Sequence, residues 1–278
     1  MKKFTGIISS THTDLHGDKM TLDMLNSFSS QVREHYLPIN VNHDPRLPPV
    51  GRLTSVEVIQ LPDGEYAAQG TEEIFEPTDD LESLTGDGRE IPIEKEETQS
   101  FLAYYDRIFS DDSGQELVKE LEEITDQQPR YTLKKAVDPI SILLISAGIF
   151  VFGSIAQGFF TKVGEDAYLK LKGALIKYYK KKAKPDQLLD FRFSTKRKDN
   201  IFEVHLLLDN PTEESLNCLF DSGFKQIDEL LNSVPLGLEK EIAEIVLDYK
   251  NRQLTLLYTV RKDSVPIKFN IKHKEDFD

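Results

Sequence analysis

Cysteine is almost absent, and Cys218 alone among 278 residues excludes an internal disulfide and a Cys-rich zinc site. The lone thiol reads as a small core residue. Positive charge is also short: Lys and Arg total 34 against 48 Asp and Glu, a net −14, which excludes a protein mainly devoted to neutralising nucleic-acid phosphates. A protein partner is expected, and no nucleic acid. The basic start at Lys2 and Lys3 is not followed by the apolar stretch of about 7–15 residues that a secretory signal requires. The N-terminus is therefore expected to begin in the cytosol. Residues 188–272 hold no glycine-rich phosphate loop, and no cofactor is expected. Metal ligation is not expected either. His12 and His16 with Asp14 and Asp18 are spaced for a helix, whereas their segment reads as a loop.

Charge is unevenly distributed. Residues 1–137 hold 13 basic and 27 acidic side chains, while 138–278 hold 21 of each, so the chain reads as at least bipartite. Between the parts, Ile140 to Phe160 form 21 residues without a charge, ISILLISAGIFVFGSIAQGFF, which as a helix rising about 1.5 Å per residue would cover the roughly 30 Å hydrocarbon core of a bilayer. Asp138 and Pro139 before it suit an N-cap and first helical turn. The expectation is a single transmembrane helix and a single-pass inner-membrane protein with a cytoplasmic N-terminal domain. The competing reading is a buried central helix. Gly148, Gly153, Ser154 and Gly158 would permit close helix approach and a homo-oligomer. Next, Leu171, Ala174, Leu175 and Tyr178 recur at helical spacing with Lys170, Lys172, Lys177 and Lys180 to Lys182 elsewhere on the wheel, a basic amphipathic helix expected to lie on anionic lipid.

Three segments result, in an α+β chain. Residues 138–184 hold the membrane and amphipathic helices. Residues 185–278 read as a small ββαββ binding or assembly domain, with two alternating strands, a helix burying Leu216, Leu219, Phe220, Ile227 and Leu230, and a hairpin about Lys250-Asn251. His205, mid-strand, reads as a packed core histidine. Residues 1–137 are expected to be β-rich, with FTGIISS and INVNH as strands, TLDMLNSFSSQVREHY as a helix, and a strand pair joined by Pro62-Asp63-Gly64. GQELVKELEEI reads as a helix with Leu117, Leu121 and Ile124 on one face, and acidic residues 77–97 as an exposed insertion.

The first strand ends in Ser10-Thr11, followed by Asp14 and Gly17-Asp18; after the helix come Asn42-His43-Asp44 and Pro49-Val50-Gly51. In this order and spacing the segment resembles the phage prohead protease family, related to the herpesvirus assemblins, well over about the first 76 residues and loosely to about 137. The resemblance implies a histidine acting as general base toward a serine nucleophile that cleaves capsid or scaffold polypeptide. His43 takes the base position. Thr132, in Arg130-Tyr131-Thr132-Leu133-Lys134, falls where the serine stands, and threonine's extra methyl restricts χ1 and crowds the attack. Ser100 is the second nucleophile candidate and Ser146, inside the uncharged run, the third. Asp44, adjacent to His43 and read as strand, would point to the other face, which leaves His16, His35, Asp14 or Asp18 to orient the imidazole. Two functions are therefore expected: a membrane-anchored serine-type or threonine-type endopeptidase, or a catalytically inactive protease-fold sensor of phage or other protein coupled to a membrane effector segment.

Overall fold

The computed structural model describes residues 1–13, 19–76, 79–93, 102–105, 111–131, 141–151, 164–181, 186–197, 200–233 and 241–267. It is α+β, in two compact units: Met1–Pro92 with Val260–Ile267, and Ile93–Leu133 with Asp138–Thr259.

The first unit is a four-stranded antiparallel sheet in the order β1-β4-β3-β2, where β1 is Lys2–Ser10, β2 Leu37–Ile39, β3 Gly51–Gln60 and β4 Tyr66–Ile74. One helix, α1 (Leu22–Glu34), begins where the Thr21 side chain accepts from the Met24 N–H and buries Leu25 and Val32 against Leu53, Val56 and Ala68. INVNH is only partly strand: β2 stops at Ile39, and Val41–His43 form a tight turn with Asn42 and His43 both at φ 51°. Gly51 is required by close approach, since a Cβ there would stand 2.4 Å from the Glu73 carbonyl oxygen.

The acidic stretch is not merely solvated. Arg89 donates to the Val32 and Thr54 carbonyls, both at 2.7 Å, and stacks 4.5 Å from the Tyr36 ring centroid, whose other neighbour at 4.5 Å is Arg52. Asp87 holds Arg89, Glu73 holds Arg52, and Ile91 is buried, so residues 87–91 are anchored by charges that are all paired.

The second unit contains β5 (Leu102–Tyr105), α2 (Asp112–Thr125), β6 (Arg130–Tyr131), β7 (Ser141–Val151), α3 (Glu165–Lys181), β8 (Gln187–Arg197) and β9 (Asn200–Asp209). The chain continues through α4 (Glu213–Cys218), a π turn at Leu219–Gly223, α5 (Phe224–Ser233), β10 (Ile242–Lys250) and β11 (Gln253–Arg261), then β12 (Pro266–Ile267). The strand order is β12-β11-β10-β9-β8-β7-β5-β6.

The expected transmembrane helix is overturned. Ser141–Val151 is a strand, antiparallel to β5 and parallel to β8, and no helix among the described residues is long and apolar enough to cross a membrane. With it goes the single-pass membrane localisation that rested on that helix; residues 152–160 lie outside the described residues. Flanked by β5 and β8, the strand has no open edge; one face carries Leu143 and Ile145 into the core, and Ile142 and Leu144 on the other are half-buried. Leu143 and Ile145 are fully buried, and Ser141 and Ser146 are buried as well. Gly148 falls in the register shift between Ser146 and Ile149, a bulge rather than a helix contact.

The amphipathic helix exists as α3, but its apolar face covers protein. Tyr168, Leu171, Leu175, Tyr178 and Tyr179 pack into the same core as Leu143, Phe191, Val204 and Leu247. Its lysines meet acids: Lys177 pairs with Glu116 and Glu120 of α2, Lys172 with Asp221, and Lys180 with Glu213. The order of elements from β8 to β11 is ββαββ with the helix interrupted by the π turn, but they are not a small domain of their own: β8 pairs with β7 and the strands belong to one eight-stranded sheet. Phe191, Phe220 and Phe224 stack edge to face at 5.7–5.9 Å in this core. The β10–β11 hairpin turns on Asn251 and Arg252 at φ 53° and 66°, the left-handed pair that a two-residue hairpin demands.

Gly51→Ala is expected to destabilise the first unit by about 1–3 kcal/mol, because the obstacle is backbone and cannot rotate away. Gly6→Ala, with open space around its Cβ, is expected to cost nothing. Urea denaturation of both variants checks the contrast.

Candidate functional site

His43 is exposed at its left-handed turn. The neighbouring Asp44 is committed elsewhere, its two oxygens accepting from Arg46 Nε and Nη2 at 2.9 Å each, and this pairing overcomes burial to hold its pKa below the usual carboxylate range. Thr132 and Ser100 lie outside the described residues, as do Asp14, His16 and Asp18. His35 hydrogen-bonds the Glu90 carbonyl at 3.2 Å. Ser146 is in β7 of the second unit. It shares a cross-strand row with Arg192 and His205, two strand spacings or roughly 10 Å from that imidazole, too far for proton transfer.

A different histidine of the first unit has the partners that His43 lacks among the described residues. At the C-terminal end of β1, the Ser10 hydroxyl lies 3.3 Å from His12 Nδ1, and His12 Nε2 lies 2.7 Å from Asp63 Oδ2. Ser10 closes β1 and His12 lies in the bend that follows it, where the two side chains meet. Thr11 between them points the other way and is buried, its backbone N–H donating to the Tyr66 carbonyl at 2.8 Å while its hydroxyl accepts from the Tyr66 N–H at 2.9 Å and also bonds Glu65. Asp63 comes from the β3–β4 turn, where Gly64 at φ +91° reverses the chain and the Glu65 N–H donates to Asp63 Oδ1 at 3.2 Å. The His12 hydrogen bond lowers the Asp63 pKa, with the Glu65 N–H adding to it.

The register separates the two histidines. β1 and β2 are opposite edges of the sheet, three spacings or about 14 Å apart. Ser10 pairs with Ala67 at one end of β4, whereas Ile39 pairs with Gly51 and that with Ile74 at the other, so the histidines stand at diagonal corners on the order of 25 Å apart. Sequence reading passed over this site, taking Ser10 as a motif residue and His12 as a weak metal ligand. Their alternate spacing at a strand end was a usable signal; Asp63 arrives only through tertiary pairing. Among the described residues no group of three His, Cys, Asp or Glu is placed to hold a metal.

The second unit holds a charged cluster on the sheet face opposite its helices: Asp190 and Arg192 of β8, Glu203 and His205 of β9, and Glu244 of β10. Arg192 pairs across strands with His205, and Glu244 with Glu203. Arg192 Nε donates to Asp190 Oδ2 at 2.8 Å, and the two nitrogens of buried His205 stand 3.7 Å from Asp190 and 3.4 Å from Glu203. Burial disfavours the imidazolium and so does Arg192, but the two carboxylates outweigh them and raise the His205 pKa to about 9. Asp190 is lowered to about 2 because Arg192 and His205 overcome its burial, while burial pushes Glu244 upward.

No family model, no curated protein and no solved structure matches this chain.

Because His205 is charged in the folded protein and its pKa is raised from 6.5, its stabilising contribution is complete below pH 6.5 and is lost as pH rises through about 9. Thermal unfolding measured from pH 6 to 10 should show declining stability across that window. His205→Gln should flatten the decline.

Proposed function

We propose that the first unit recognises polypeptide by taking it up as an added strand along β1. The observation that carries this reading is the edge itself. Among the described strands β1 pairs only with β4, and it exposes Phe4 (53%), Ile7 (58%) and Ile8 (40%) in a nine-residue strand. Natural sheets blunt such edges with bulges and inward charges, since a row of unpaired backbone groups beside apolar side chains is a template for another chain. Here the bulge comes late, between Ile7 and Ser9, and Lys2 and Lys3 are paired with Glu76 and Glu73, which leaves the middle of the strand open. An extended partner gains main-chain hydrogen bonds from the edge and side-chain specificity from Phe4 and Ile7. The likeness to the prohead proteases supports the same class of partner, a capsid or scaffold polypeptide. Recognition does not depend on Thr132 or Ser100, and it is the reading to which the exposed strand lends weight.

The test uses β-casein as an extended polypeptide. Fluorescence anisotropy should report binding by the full chain, and the double variant Phe4→Glu, Ile7→Glu should weaken it at least about tenfold, the ratio that one like-charge or desolvation penalty of about 1.4 kcal/mol produces. Both side chains are exposed, so folding should be unaffected. Equal binding by wild type and variant would remove β1 from recognition.

A further inference from the structure

We propose that Ser10, His12 and Asp63 form an acyl-transfer site at the C-terminal end of β1, with Ser10 as nucleophile, His12 as general base and Asp63 as the positioning residue. The geometry has the required order of contacts: hydroxyl to imidazole at 3.3 Å, imidazole to carboxylate at 2.7 Å. It also has support that a chance surface pair lacks. Thr11 is buried and doubly bonded to Tyr66, which fixes the backbone between the two reacting side chains, and the Glu65 N–H fixes the Asp63 carboxylate. With Nε2–H donated to Asp63 Oδ2, Nδ1 presents its lone pair to the Ser10 hydroxyl. That the serine faces Nδ1 and the carboxylate Nε2 reverses the usual assignment without changing the chemistry, because either imidazole nitrogen accepts a proton.

In the first step Ser10 Oγ bonds to the acyl carbon, its proton passes to His12 Nδ1, and the carbonyl π pair moves to oxygen. Collapse restores the carbonyl and expels the leaving group, which takes the proton from Nδ1 or, where it leaves as a stable anion, lets Nδ1 release that proton to solvent. Water then attacks the acyl-Ser10 ester, giving its proton to Nδ1, and the acid leaves as Ser10 regains a proton. The side chains of His12 and Asp63 are 47% and 56% exposed, so the site is open rather than enclosed. Its substrates are activated esters and, resting on the docking reading above, polypeptide laid along β1 with its carbonyls passing Ser10.

p-Nitrophenyl acetate and a fluorophosphonate probe test the site with no demand on β1. The full chain should release nitrophenolate above the buffer rate and carry the fluorophosphonate on Ser10 by peptide mass mapping. Ser10→Ala should lose the label, and His12→Ala should lower turnover by about a hundredfold. Asp63→Asn should shift the pH profile of turnover, which loss of a purely structural contact would not do. Hydrolysis no faster than buffer, or label on another residue, would overturn the site. Absent esterase activity with intact casein binding refutes this site alone; esterase activity without casein binding refutes the docking reading alone.

Discussion

Parallel strand pairing is the constraint from which the second unit follows. β7 lies parallel to β8, and β9 parallel to β10, so each pair needs a crossover long enough to return the chain to the same end of the sheet. α3 is the first crossover and α4 with α5 the second. Both crossovers lie on one face, where their apolar sides join the Phe191, Phe220 and Phe224 cluster. Once the helices cover that face, β7 becomes an interior strand with no edge to solvent, and the residues it turns toward the helices must be apolar.

That requirement also explains which parts of the fold were legible in sequence. The amphipathic helices were: α2 buries Leu117 and Leu121 at the expected spacing, and the strand and helix order from Gln187 to Arg261 follows from alternation and a capped helix at Thr212. The uncharged run was not. Periodicity cannot separate an interior strand from an apolar helix when no polar residue marks a face, and length then favoured a bilayer span. The β-branched residues Ile142, Ile145, Ile149 and Val151, with Gly148 among them, were the compositional hint of strand and bulge. At the candidate site, Ser10 and His12 were readable as same-side neighbours. Asp63 was not, since nothing local ties a hairpin turn to the end of a strand 51 residues earlier.

Ionic groups are handled differently in the two units. Around Tyr36 every charge has a partner of opposite sign, Arg52 with Glu73 and Arg89 with Asp87, and the arrangement fastens a long loop to a small sheet. Around His205, three carboxylates share one imidazole and one guanidinium, so the group is short of positive charge by two with His205 neutral and by one with it protonated. A raised histidine pKa and an upward-shifted Glu244 are two expressions of that single imbalance.

The bulge in β1 has an evolutionary consequence. Register runs Lys2 to Ile7 against Ile74 to Gln69, then resumes at Ser9 opposite Ala68 with Ile8 as the extra residue. Inside-outside parity is therefore reset just before Ser10. Losing Ile8 would leave Ser9 opposite Ala68 and Ser10 opposite Ala67, so the residues beyond the bulge would keep their faces and only the extra local twist would go. The site end of β1 is thus held by its pairing with β4 and not by the number of residues that precede it, which frees the strand to change length at Ile8.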